Sequence, residues 1–169
     1  MAGTGQPFGF TDDGAALDEL AQRPISKPEE SGVVYGKIQT RGIAQDVFRR
    51  ASLRAYGRRC AFCGLSFEVA LHVGHIIPWS TASVAQRLAP TNGLLLCSTH
   101  HSLFDSEILT VALDHRIICR RDHLHRHHWT DSDTRAAAAL YGQRMSLPAD
   151  PRLRPSVAAL KYRADRLVG

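Results

Sequence analysis

Two short knuckles constrain this chain more than any other feature: Cys60-Ala61-Phe62-Cys63 and, further on, Cys97-Ser98-Thr99-His100. In each, two residues separate a pair of soft ligands, a gap that aims both at one point. Two such pairs make a tetrahedral set. The pattern predicts a closed structural zinc site of Cys60, Cys63, Cys97 and His100, with no position left for a substrate. The competing reading makes Cys97 a core thiol behind Leu94-Leu95-Leu96 and leaves one knuckle. Cys119, the last of four cysteines, has no partner at ligand spacing and is expected inside a strand. Disulfides are not expected, because a chain of 169 residues can hold a core without them.

Around the knuckles the hydrophobic pattern is mixed, which predicts an α+β protein of one domain. Residues 1–40 are rich in Gly and Pro and read as a poorly ordered arm and linker, in which only Ala15 to Gln22 has helical spacing. Residues 41–169 read as the folded domain. There Ile43 to Tyr56 predicts a helix stopped by Gly57, and Val69 to Ile77 a β run ending at Pro78. Ser80 to Pro90 is loop or short helix. Leu94-Leu95-Leu96 is an apolar run, followed by one or two helical turns from Ser98 to Asp105. Ile108 to Leu113 and Arg116 to Cys119 read as a hairpin, Thr130 to Met145 as a helix, and Ala158 to Leu167 as a last short helix. No apolar window approaches the roughly 18 residues of a membrane span, and no basic-then-apolar leader opens the chain. A cytoplasmic protein without a membrane partner is therefore expected.

The net charge is +5, and 18 of the 21 basic residues are arginine. Planar guanidinium forks match phosphate oxygens, so the balance favours an anionic partner such as nucleic acid, although a GC-rich genome writes the same bias. The densest basic run is Arg120 to Trp129, with Arg121, Arg126 and four histidines between them. It reads as a metal-binding or phosphate-gripping rim with Trp129 stacking on a base, or as a solvated loop. Arg49, Arg50, Arg54, Arg58 and Arg59 could add phosphate contacts, which position a duplex without specifying its sequence.

Between the knuckles lie Val73-Gly74-His75-Ile76-Ile77-Pro78-Trp79-Ser80 and Thr91-Asn92-Gly93-Leu94-Leu95-Leu96-Cys97. Ser98-Thr99-His100-His101-Ser102-Leu103-Phe104-Asp105 follows directly. In order and spacing these pieces resemble the HNH nuclease family, most clearly over residues 58–113. The branch they resemble is that of modification-dependent restriction and other anti-phage nucleases. The resemblance implies a ββα-metal finger with a zinc-knuckle brace, flanked by helices. It implies hydrolysis of DNA phosphodiesters, with His75 as the general base on water and Asn92 holding the loop and orienting the His75 ring. His101 would bind a single catalytic Mg²⁺ or Mn²⁺, with Ni²⁺ as a further option. An imidazole is suited to the base role because its unperturbed pKa of about 6.5 leaves it largely neutral at cellular pH.

Many members carry an acidic or histidine ligand immediately before the base, where this chain has Gly74. His72, on the same strand face, and Asp105, one helical turn from His101, are the candidates to replace it. If neither serves, the ion rests on His101, water and the substrate phosphate. The expected partner is double-stranded DNA, with a homodimer or an activating second protein left open. The alternatives are a non-catalytic zinc ribbon that binds nucleic acid, or a nuclease active only when a partner completes it. A ribbon needs four zinc ligands but neither His75 nor Asn92.

Overall fold

The fold was analysed as a computed structural model that describes residues 14–37, 41–120 and 129–168. Its centre is a two-stranded antiparallel sheet. Strand β1, Leu71–His75, pairs with β2, Gly93–Cys97, in a register that sets Leu71 opposite Cys97 and His75 opposite Gly93. Every residue of β2 is buried, so its run of leucines serves a ribbon covered on both faces rather than an alternating half-wet one. Helix α5, Ser98–Asp105, follows β2 without a connecting loop and completes a ββα unit. Ser98 is its first helical residue and Cys97 its N-cap.

Two glycines set how closely the helices approach this ribbon. A Cβ on Gly93 would lie 2.7 Å from Phe48 Cζ, so only glycine lets helix α3, Arg41–Ala55, lie against that face. On the opposite face a Cβ on Gly74 would meet Phe104 at 3.3 Å and His101 at 3.4 Å, both on α5. The strand alternation therefore divides the motif. His75 faces α3, while His72 and Gly74 face α5.

Residues 14–37, expected as a loose arm, are helical. Helix α1, Gly14–Ser26, and α2, Ser31–Lys37, bury Ala21 and Val34 in a second core cluster with Ala44, Val47, Phe48, Ala51 and Leu88. Helical spacing is visible only at Ala15 to Gln22, within α1, and long-range packing supplies what local pattern lacks elsewhere. Residues 1–13 and 38–40 lie outside the described residues. Helix α4, Val84–Leu88, sits in the β1–β2 connection behind a Ser83–Gln86 capping box.

Strands β3, Leu109–Val111, and β4, Ile117–Cys119, form the expected hairpin, with Cys119 buried. Helix α6, Asp131–Ala136, ends well before Met145. Its stop is tertiary in origin: Gly142 N–H donates to the Ile117 carbonyl and Ile117 N–H to Gln143, pulling the chain onto the hairpin. The last helix, α7, runs Val157–Val168. No described helix is long and apolar enough to cross a membrane.

Candidate metal centre and active cleft

The four knuckle residues converge. One ligand atom from each of Cys60, Cys63, Cys97 and His100 can be chosen so that all lie within 4.8 Å of one another. Tetrahedral zinc with bonds near 2.3 Å sets its ligands about 3.7 Å apart, so the donor set fits that ion. The His100 Nε2–H donates to the Ala136 carbonyl at 3.0 Å, which turns Nδ1 toward the cysteines as the ligand atom. That Nδ1 lies 3.2 Å from Cys97 Sγ and 3.4 Å from Cys60 Sγ. A carbonyl that fixes a histidine tautomer is the usual outer support of a zinc ligand, and here the end of α6 provides it.

Burial pushes the Cys60 thiol up, but hydrogen bonds from His100 and from backbone amides outweigh it and bring the group to about 6. Burial and the neighbouring Cys60 charge push Cys63 up to about 12. Burial raises Cys97 as well. Three thiolates this close repel one another, and a divalent cation is what would let all three ionise together.

A second site holds none of the four knuckle residues. It is a cleft of about 430 Å³ lined by His75, Trp79, His101, Asp105, Arg163 and Arg166, among others. His75 ends β1 with its ring stacked on Phe48, centroids 4.2 Å apart, and Trp79 edge-on at 5.6 Å. Its Nε2–H donates to the Arg87 carbonyl at 3.1 Å. That carbonyl belongs to the last turn of α4, where no intrahelical donor remains, and the negative end of the helix suits it as an acceptor. A neutral imidazole with hydrogen on Nε2 carries its basic lone pair on Nδ1.

Asn92 is buried and acts at one remove. Its Oδ1 accepts from the Ile77 N–H at 2.8 Å, and its Nδ2 donates to the carbonyls of Ile77 and Gln86, each at 3.2 Å. It thus ties the end of β1 to the last turn of α4. The expected ring contact to His75 is made instead by the neighbouring Arg87 carbonyl, because Asn92 is spent on the backbone of the loop.

His101 Nδ1 lies 3.5 Å from Asp105 Oδ2, both on the cleft. Cis ligands on an octahedral Mg²⁺ with 2.1 Å bonds sit roughly 3 Å apart, so this pair is close to ligand spacing. His72 is drawn to Ser98, with Nε2 and Oγ 3.0 Å apart, and is not among the cleft residues. Its ring still approaches that of His101, centroids 5.6 Å apart.

The arginines near the first knuckle are engaged within the protein. Arg50 and Arg54 both grip Asp18 of α1, at 2.9 and 2.7 Å. Arg49 donates to the carbonyls of Glu68 and Leu71, and Arg58 pairs with Glu68. Arg59 is exposed. Arg120 pairs with Glu107 at 3.3 Å, and Trp129 packs half-buried on the main core. Arg121 and Arg126 lie outside the described residues. Sequence reasoning did not single out Arg163, Arg166 or the Arg87 carbonyl. The two arginines sit three apart on α7, a visible spacing, but nothing in that spacing says which cleft they reach.

The family comparison falls on the ribbon at the centre. Residues 60–112 match the family described as HNH endonuclease, a segment that holds both knuckles, His75, Asn92 and His101. Among solved structures the chain is similar to one titled modification dependent TagI restriction endonuclease, at 17% identity and a TM-score of 0.46. The likeness covers 69% of this chain and 36% of that one, so this chain spans about a third of its length. No curated protein matches.

Proposed function

We propose that this protein is a divalent-metal-dependent endonuclease that hydrolyses phosphodiester bonds of duplex DNA. One observation carries the reading. His75, its Nε2–H committed to the Arg87 carbonyl, shares a single cleft with His101 and Asp105. A phosphodiester resists attack because its charge repels hydroxide. Its hydrolysis therefore needs a base for water and a cation for the charge that develops on phosphate. His75 takes the proton of the attacking water on Nδ1. His101, with Asp105 beside it, would hold Mg²⁺ or Mn²⁺, and the ion's role when bound is to neutralise the phosphate and the leaving oxygen. Asn92 keeps the α4 carbonyl where the imidazole needs it. The knuckle cluster braces the fold with zinc and takes no part in the chemistry.

A second reading has its own observation. A Cβ at position 74 would lie 3.4 Å from His101, but Gly74 supplies no ligand where many HNH nucleases have one. A module with so spare a metal site would bind nucleic acid without cutting it, or cut only once a partner protein completes the site.

Plasmid cleavage by the wild type and His75→Ala in EDTA, magnesium, manganese and nickel separates these. Metal-dependent cutting lost in the variant establishes the autonomous enzyme. Plasmid that is bound by both proteins and cut by neither leaves the second reading. Asp105→Asn is expected to raise the Mn²⁺ concentration for half-maximal cleavage about tenfold, and more than His72→Ala does. The reverse order would move the ligand to His72.

A further inference from the structure

The chemistry above uses one wall of the cleft. The other wall is α7, which brings Arg163 and Arg166, one helical turn apart, to the same space as His75 and His101. Arg163 is 8% exposed. Its Nε donates to Thr110 Oγ1 at 3.3 Å and one Nη to the Phe104 carbonyl at the end of α5, with the guanidinium 3.5 Å from the centre of the Phe104 ring. Among the described residues no carboxylate closes an ion pair with it. Burial draws its pKa down to about 10, which leaves it charged at neutral pH. A guanidinium has five N–H groups, and two account for these bonds. A buried cation with donors to spare, facing a cleft and with no carboxylate in direct ion-pair contact among the described residues, is poised for an anion.

Arg166 is exposed and held along the helix by Tyr162, whose hydroxyl lies 3.3 Å from its Nη1. The cleft sets two carboxylates, Asp105 and Glu107, against these two guanidiniums, and Arg120 further engages Glu107. Such a cleft is close to neutral until a divalent cation enters, and then favours a phosphate.

We propose that Arg163 and Arg166 form a clamp for a backbone phosphate of the bound nucleic acid, seating the strand against His75. The purpose of the clamp rests on the nuclease reading; its existence does not. Arg163 also ties the end of α5 to α7, so its loss can disturb the fold. Arg166 carries the decisive test, since its side chain touches little else.

The experiment titrates the full chain against a fluorescent DNA duplex over a range of salt, in calcium to hold back cleavage. Arg166→Ala, Arg166→Lys and Arg163→Lys are measured beside the wild type. Arg166→Ala is expected to weaken binding several-fold and to lower the slope of log affinity against log salt by about one, with an unchanged melting temperature. Arg166→Lys keeps the slope, because the charge remains. Arg163→Lys keeps the charge but loses the fork, so it too binds more weakly. Equal affinity and equal slope for wild type and Arg166→Ala overturn the clamp. Plasmid cleavage by the wild type in manganese is run in parallel. Cutting with unchanged Arg166→Ala binding sinks the clamp and spares the nuclease, and weakened binding without cutting does the opposite.

Discussion

His75 can serve as a base only while one ring nitrogen is free of hydrogen and held in place, and the Arg87 carbonyl meets the second need. Acidification converts the ring to imidazolium, which cannot accept a proton. Cleavage is therefore expected to decline between roughly pH 8 and 5, and a flat rate profile there would remove His75 from the base role. Asn92→Ala leaves the Ile77 N–H without its acceptor and should cost about 1–3 kcal/mol in denaturant unfolding. It should also reduce the cleavage rate by more than the unfolded fraction explains. Gly74→Asp tests the ligand gap directly. Its Cβ needs only a small adjustment of Phe104, and the new carboxylate would lie against His101. The expected result is tighter Mn²⁺ binding by titration calorimetry, about tenfold or more. Unchanged affinity would mean that this strand face does not look onto the ion. The grouping of His75 with His101 on one cleft was legible because motif spacing marks side chains. The Arg87 carbonyl was not, because every residue carries one and only the path of α4 aims it.

Among the elements, α1 shows how a surface charge docks a helix. Asp18 accepts from Arg50 and lies beside Arg54, and the Arg50 hydrogen bond, against some desolvation, holds its carboxyl below the ordinary 3.8. A carboxyl depressed on folding adds stability above its unfolded pKa and loses it as pH falls through the folded value. Protection of the amides of residues 14–26 against exchange, relative to their intrinsic rates, is thus expected to fall below about pH 4, and Asp18→Asn to mimic this at neutral pH. Of the α1–α2 pair only Ala15 to Gln22 was legible in the sequence, because the buried residues Ala21 and Val34 are small and far apart in the chain. The early end of α6 escaped the sequence reading for another reason. Alanine-rich sequence promises more helix, but the Ala136 carbonyl is taken by His100 and the following turn by β4. The elements of the ββα unit were read correctly, since β2 and α5 carry strong local pattern and meet at a knuckle.

At the scale of the whole molecule two cores share the ribbon. One contains the knuckle cysteines Cys60 and Cys97, the hairpin and α7; the other joins α1, α2 and α4 to α3. Deleting residues 1–37 would expose Phe48 and Leu88, at present 2% and 0% exposed. A lower melting temperature with zinc content retained is the expected outcome, measured by calorimetry and metal analysis. An unaltered melt would mean that the second core adds nothing to stability. One consequence of the α4 carbonyl reaches into how such a protein changes over generations. A side-chain partner can be erased by altering a single codon, whereas every amino acid placed at position 87 still offers the same oxygen. The orientation of His75 is therefore inherited through the length and course of a loop. It withstands most point mutations there and is vulnerable to an insertion or deletion between Pro78 and Asn92.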